Sequence, residues 1–245
     1  MLTPRIFVGA ERLPDVGGDY ALSDAAVRHV SHALRMRTGD RLALFTGAGG
    51  EYAATIVDIA RRGVVVRVDA HDPVEREAPM PVVLVQSIVA VDMMDFIVRK
   101  AAELGAAAIV PVQSARTQRV PDSRLAHRVT HWRQIVSAAC EQCGRNRIPV
   151  VSPVAALAEW VATRAGSGPM AVLDAAATRS LAAFASAVVP RFVIVGPEGG
   201  FDDAELGQLR DAGAVAVHVG ARTLRAETAA LVALATVNAI AGDAR

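Results

Sequence analysis

Little in this chain can cross-link it, and little can bind a metal. Among 245 residues there are two cysteines, Cys140 and Cys143 in "CEQC", too few for a disulfide framework, so a reducing cytoplasm is the expected compartment. Aromatic residues make up only 4%, and Lys100 is the one lysine among 26 basic residues. Long apolar runs are missing too. The longest, 229–241, would span about 20 Å as a helix, short of a bilayer core, and it carries Asn238. The amino terminus "MLTPRIFVGAERLP" places charge and proline where a signal peptide needs an unbroken apolar segment, so neither export nor a membrane partner is expected.

One spacing imitates a metal site. The stretch from Asp122 to Cys143 reads as a long helix, with His127 and His131 four apart and Cys140 and Cys143 three apart. Nine residues separate His131 from Cys140, about 13 Å on a straight helix, too far to share one ion. The same helix aligns Trp132, Ile135, Val136, Ala139 and Cys143 in one apolar stripe with Cys140 at its margin. The cysteines therefore read as packed side chains, and no metal is expected.

What the chain has is aliphatic bulk, 52% hydrophobic with a mean hydropathy of +0.32, enough for one large domain or two smaller ones. Its net charge of +1 conceals a local excess. Seven arginines (Arg116, Arg119, Arg124, Arg128, Arg133, Arg145, Arg147) crowd a segment that offers Asp122 and Glu141 against them. Arginine's planar fork suits phosphates and carboxylates, but charge alone does not separate a nucleic-acid footprint from a solvated helix face.

The periodicity changes near Asp72-Pro73. Before it, Arg41 to Phe45, Glu51 to Ile59 and Val64 to Val68 read as strands separated by the turns Gly47-Ala48-Gly49-Gly50 and Arg61-Arg62-Gly63. A helix with Ser23 as N-cap and Gly39 just past its end precedes them, so a small β-barrel with one helix is expected. "TGAGG" is no dinucleotide fingerprint, because a strand follows it where a helix is required. After Pro73, "VVLVQSI", "AAAIVPV", "MAVLD", "RFVIV" and "VAVHVG" alternate with helical segments, the first of them Asp92 to Leu104. Such alternation predicts a mostly parallel sheet covered on both faces, with ligands beyond the carboxyl ends of its strands.

At one of those ends stands "VGPEGGF", Val195 to Phe201, between a strand and a helix. Strand, glycine turn and helix is the layout of a phosphate loop, yet no lysine follows and Glu198 would repel a pyrophosphate. A neutral or cationic ligand, such as an adenine, a ribose or a sulfonium, fits better. A tight turn shaped by Pro197 and the glycines for geometry alone fits the residues as well.

"VGPEGGF", "VGARTLRAETAAL", "AACEQCGRNRIP", "KAAELGA" and "HVSHALRM" together resemble the ribosomal RNA small subunit methyltransferase E family, within the SPOUT superfamily. The resemblance implies a SPOUT-type α/β domain at 74–245, with a trefoil-knotted, mostly parallel sheet and helices on both faces. Ahead of it, at 1–72, it implies a small PUA-like β-barrel that binds RNA. The implied activity is transfer of a methyl group from S-adenosylmethionine to N3 of a specific uridine in 16S rRNA, within the 30S subunit, by a homodimer. Another RNA substrate, or a non-catalytic RNA-binding homologue, are the alternatives.

The resemblance also implies sites. The cofactor would contact Leu173, Gly196, Pro197, Glu198, Gly199, Gly200, Val219, Gly220, Leu224 and Arg225. Arg225 would be the catalytic partner of an oxygen or phosphate, and Glu198 either a base or an acceptor for loop N–H groups. Arg35, Arg116, Arg119, Arg145 and Arg147 would contact RNA, with His29 expected to be packed instead. Three departures from the family pattern stand out: Ala226 where a threonine is usual, Met93 where a lysine is common, and His32 where an arginine is common.

Overall fold

The computed structural model describes residues 3–9, 13–60, 63–117, 121–164 and 166–243. It divides into two compact units. The first comprises Met1–Glu77 with Ser137–Ile148, and the second Ala78–Val136 with Pro149–Arg245.

The first unit is a five-stranded sheet in the order β1-β3-β4-β5-β2. Its strands are β1 (Arg5–Phe7), β2 (Asp19–Ala21), β3 (Arg41–Phe45), β4 (Glu51–Ala60) and β5 (Gly63–Asp72). β1 runs parallel to β3, and the remaining pairs are antiparallel. Alternate residues Leu42, Leu44, Ala54, Ile56, Val64 and Val66 turn inward, joined in one core by Ile6, Leu22, Ala26 and Val30. β1 and β2 are too short for their alternation to be read from sequence. β5 runs past Val68 to Asp72 because its exposed end still pairs with the start of β4, Glu51 opposite Asp72. In the turn expected at Arg61-Arg62-Gly63, Arg61 and Arg62 lie outside the described residues.

The expected helix before Gly39 is shorter and changes character. Ser23 caps α1 (Asp24–Arg28), its hydroxyl accepting from the Ala26 N–H. The chain then widens into a π-helical turn, His29–Ala33, and ends where Arg35 takes the left-handed conformation at φ 54°. Non-glycine residues adopt that conformation at a cost of about 1–2 kcal/mol. His29 stands exposed on this turn, against the expectation that it is packed.

The second unit is an all-parallel sheet in the order β12-β10-β11-β6-β7-β8, with β9 also paired to β7. Its strands are β6 (Val83–Ser87), β7 (Ala108–Gln113), β8 (Val150–Val151), β9 (Ala155–Ala156), β10 (Met170–Leu173), β11 (Phe192–Val195) and β12 (Ala214–Val217). The central strands β6 and β11 are buried on both faces, which is why they read as continuous apolar runs. One layer of helices holds α2 (Val91–Glu103), α5 (Leu181–Ala187) and α7 (Ala226–Ala241), and another holds α4 (Leu157–Ala162) and α6 (Asp203–Asp211). Val85, Val110, Ile194, Trp160 and Leu209 lie in the core shared by the sheet and the second layer.

α3 (Asp122–Cys143) has the expected bounds, but its residues from Ser137 belong to the first unit. That changes which cysteine is buried. Cys140, expected at the margin, is fully buried against the Arg147 carbonyl, and Cys143 is half-buried. The hydrogen bond with Cys143, and then burial, push the Cys140 thiol well above its ordinary value, so it stays protonated and unreactive. His131 bonds Asp95 of α2 at 2.8 Å, and no group of three or more metal-ligating side chains occurs among the described residues. No described helix is long and apolar enough to cross a membrane.

Candidate functional site

Four adjacent parallel strands, β12, β10, β11 and β6, end at the same edge of the sheet, and the loops leaving them enclose a cavity of about 780 Å³. β10 contributes Leu173 and Asp174, and β11 the turn Gly196 to Gly200. β12 contributes Val219, Gly220, Leu224 and Arg225, and the loop after β6 contributes Ala90, Asp92 and Met93. All ten residues expected at the cofactor line this one space. Its size is that of a small-molecule site.

The glycines of the turn have separate jobs. The Gly200 N–H closes the turn on the Pro197 carbonyl at 2.9 Å, and φ of +67° at Gly200 favours a residue without Cβ. A Cβ on Gly196 would lie 3.3 Å from the Gly200 Cα, so any larger residue there would push the turn open by a few tenths of an ångström. Phe201, 8% exposed, anchors the far end of the turn in the core.

This turn does not offer a helix terminus to phosphate. Asp202 caps α6, accepting from the Glu205 N–H at 2.8 Å, while Glu205 accepts from the Asp202 N–H at 3.0 Å. The first turn of α6 thus already holds two carboxylates of its own. The helices that do face the cavity differ. Arg225 is the N-cap of α7 and Ala90 that of α2, and neither helix has a side-chain cap. Ala226 is the first helical residue of α7, so the uncapped end that lines the cavity does not arise from the missing threonine hydroxyl at 226.

Side-chain charge in the cavity is mixed but leans acidic. Asp92, Asp174, Glu198 and Glu227 line it against Arg222 and Arg225. Glu198 is exposed, and its Oε1 accepts from the Ala90 N–H at 3.4 Å. Asp174 accepts from the Ala176 N–H at 2.9 Å, and His218 Nδ1 from the Gly220 N–H at 3.1 Å, which leaves the His218 proton on Nε2 when the ring is neutral. Sequence reasoning missed Asp92, Asp174, His218, Arg222 and Glu227. For Asp174 and His218 the signal was present, since they directly follow β10 and β12, whereas Asp92 stands after β6 at the start of α2, a strand end that the sequence reading does not assign to the ligand.

The arginines expected at RNA separate. Arg35 is exposed beyond the π-helical turn of the first unit. Arg147 pairs with Glu75 at 3.0 Å and keeps 56% of its side chain exposed. Arg145 is 3% exposed, its guanidinium engaged by Glu77, so it faces protein rather than solvent. Arg116, in the second unit, donates to the Gly199 carbonyl at 2.6 Å. Arg119 lies outside the described residues.

A parallel α/β sheet with a glycine turn and two uncapped helix ends around one cavity matches a known class. Residues 76–238 match the family model described as an RNA methyltransferase domain, and residues 22–69 match the RNA methyltransferase PUA domain. The chain is 33% identical over 236 residues to the Ribosomal RNA small subunit methyltransferase E of Mycobacterium bovis, covering 94% of this chain and 90% of that one. A crystal structure of a Ribosomal RNA small subunit methyltransferase E from Neisseria gonorrhoeae, bound to S-adenosyl methionine, superimposes with a TM-score of 0.90 at 34% identity, covering 97% of this chain and 98% of that one. A Legionella pneumophila protein solved with the cofactor SAM gives a TM-score of 0.90 at 33% identity over 98% of each chain. The chain belongs to the ribosomal RNA small subunit methyltransferase E family.

Proposed function

We propose that this protein transfers a methyl group from S-adenosylmethionine to N3 of a specific uridine in 16S rRNA. The observation that carries the reading is the single cavity into which four strand-end loops bring every residue expected at the cofactor. The residues fit the group. The acidic lining suits a sulfonium and an ammonium, and the uncapped start of α7 suits a carboxylate. When bound, the cofactor supplies an electrophilic methyl on sulfur, open to in-line displacement.

The chain's own residues handle positioning and charge. Uracil N3 must lose its proton, and the negative charge spreads onto O2 and O4. Arg225, exposed at the cavity wall, is placed here as the donor to that oxygen or to the flanking phosphate. Glu198 is the carboxylate at the centre of the turn. Its bond from the Ala90 N–H supports an architectural task, joining the β11 turn to the start of α2, with proton acceptance as the second assignment.

In this reading residues 1–72 form the RNA-binding domain and 74–245 the catalytic domain. Arg35 of the first domain supplies a phosphate contact, as does Arg147, which belongs to the same compact unit, and Arg145 holds Glu77 and so the loop that presents Arg147. The strand order β12-β10-β11-β6 supports the knotted chain path of the SPOUT superfamily. The reading further assigns a homodimer working on the 30S subunit in the cytoplasm.

The test is direct. Purified protein, S-adenosylmethionine and 30S subunits from a strain lacking the enzyme are combined, and reverse-transcription stops are mapped. N3-methyluracil blocks pairing, so a new stop near the decoding-region end of 16S rRNA is expected; its absence overturns the substrate. Arg225→Ala is expected to abolish the stop while S-adenosylmethionine binding persists, and retained methylation would remove Arg225 from the chemistry.

A further inference from the structure

The turn Gly196 to Gly200 is gripped from the side of β7 by Arg116, a residue that the family resemblance implied at RNA. The Arg116 Nη1 donates to the Gly199 carbonyl at 2.6 Å and reaches the Phe201 carbonyl at 3.5 Å. Its aliphatic stem covers Gly199 as well: a Cβ there would lie 3.3 Å from the Arg116 Cδ and 3.5 Å from its Cβ. Gly199 has no positive φ, so what a larger residue there would meet is the crowding against the Arg116 stem.

We propose that Arg116 is a positioning residue that sets the shape of the cofactor turn, rather than a contact for an RNA phosphate. The proposal rests on the reading of the cavity as the S-adenosylmethionine site. The Gly199 carbonyl and the Gly200 N–H belong to one planar peptide and point in opposite directions. Arg116 holds the carbonyl, and the Pro197 carbonyl receives the N–H at 2.9 Å, so that plane is fixed from both sides. Its orientation decides how closely Gly200 approaches Gly196, and hence the wall that the cavity presents.

Arg116 is itself held in place. The Ala115 N–H donates to Glu205 Oε1 at 2.6 Å, tying its turn to the start of α6. The Ser114 and Thr117 hydroxyls bond each other at 2.8 Å within that turn, both nearly buried. Glu205 thus caps α6 with one oxygen and anchors the Arg116 turn with the other. On the opposite flank Glu198 reaches the Ala90 N–H, so the cofactor turn is braced towards both β6 and β7.

The experiment measures S-adenosylmethionine affinity by calorimetry, and 30S affinity across a salt series, for wild type, Arg116→Ala, Arg116→Lys, Gly199→Ala and the Arg116→Ala/Gly199→Ala pair. Loss of a charge-assisted hydrogen bond predicts about tenfold weaker cofactor binding for Arg116→Ala, with 30S affinity and its salt slope unchanged. Arg116→Lys, which keeps a cationic donor, should recover part of the loss. Gly199→Ala should weaken cofactor binding in the presence of Arg116 and add little once Arg116 is alanine, because the atom it crowds is gone. Unchanged cofactor affinity in Arg116→Ala, with a salt slope reduced by about one phosphate contact, would overturn the proposal and return Arg116 to RNA. Wild-type protein that binds no S-adenosylmethionine would overturn the reading of the cavity itself, a distinct result.

Discussion

The chain contains two glycine-rich turns, "TGAGG" after β3 and "GPEGG" after β11, and they use glycine in opposite ways. In the first, Gly47, Gly49 and Gly50 have φ of 87°, 116° and 66°. The room they leave is filled by the protein itself. A Cβ on Gly49 would meet the Glu75 carboxylate and lie 2.6 Å from the Arg147 guanidinium, and one on Gly50 would lie 2.6 Å from His71 Nε2. Glu75 accepts from the Gly50 N–H at 3.2 Å and pairs with Arg147, so the turn is closed by side chains. In the second, only Gly200 has positive φ, a Cβ there would meet nothing within 4 Å, and the turn opens onto the cavity. What occupies the missing Cβ volume, and not the count of glycines, separates a structural turn from a binding turn.

The largest expected effect tests the filled turn. Gly49→Ala adds left-handed strain to a clash with two charged groups that are bonded to each other, and should cost about 2–4 kcal/mol of stability. Denaturant midpoints would show it, while S-adenosylmethionine affinity of the folded protein should not change. A midpoint within error of wild type would mean that the Arg147–Glu75 pair gives way easily, and the contrast between the turns would weaken.

Gly200→Ala is the matched substitution in the open turn. Only conformational strain opposes it, about 1 kcal/mol, so the melting transition should move little. Cofactor affinity should fall severalfold, because the relaxed backbone shifts the wall of the cavity. If stability falls and affinity does not, the two turns are of one kind.

Much of this contrast is legible in the sequence. A strand follows "TGAGG" and a helix follows "GPEGG", and that difference alone separates them. The parallel sheet was legible because strands buried on both faces read as unbroken apolar runs, and the ligand edge followed from their direction. The partners of single arginines were not. Arg145 and Arg147 lie two apart in one basic motif, yet one is sealed against Glu77 and the other half-exposed beside Glu75, since both carboxylates come from a segment about 70 residues earlier. The short strands β1 and β2 were invisible because three residues carry no period, and the early end of the first helix depends on a left-handed Arg35 that no residue type announces.

The smallest effect concerns the strand that leaves the filled turn. Glu51 opens β4 directly after Gly50, and its carboxylate pairs with Arg76 at 3.0 Å and with Arg5. Burial alone would raise its pKa, but hydrogen bonds from Arg76 and Arg5 outweigh that and hold it below the ordinary 4.5. A carboxylate whose folded value is depressed contributes stability that is present above the unfolded value and lost as pH falls through the folded one. Glu141, raised by burial although it accepts from the Phe7 N–H, has the opposite sign: its contribution is lost as pH rises above 4.5 through its folded value. Glu51→Gln should therefore flatten the acid limb of the stability profile below pH 4.5 and leave the slope above it, where Glu141 titrates, as in wild type. Chemical denaturation at a series of pH values reads both limbs. An acid limb as steep in Glu51→Gln as in wild type would remove the Arg5–Glu51–Arg76 cluster from the forces that hold the filled turn, leaving Glu75 and Arg147 to close it alone.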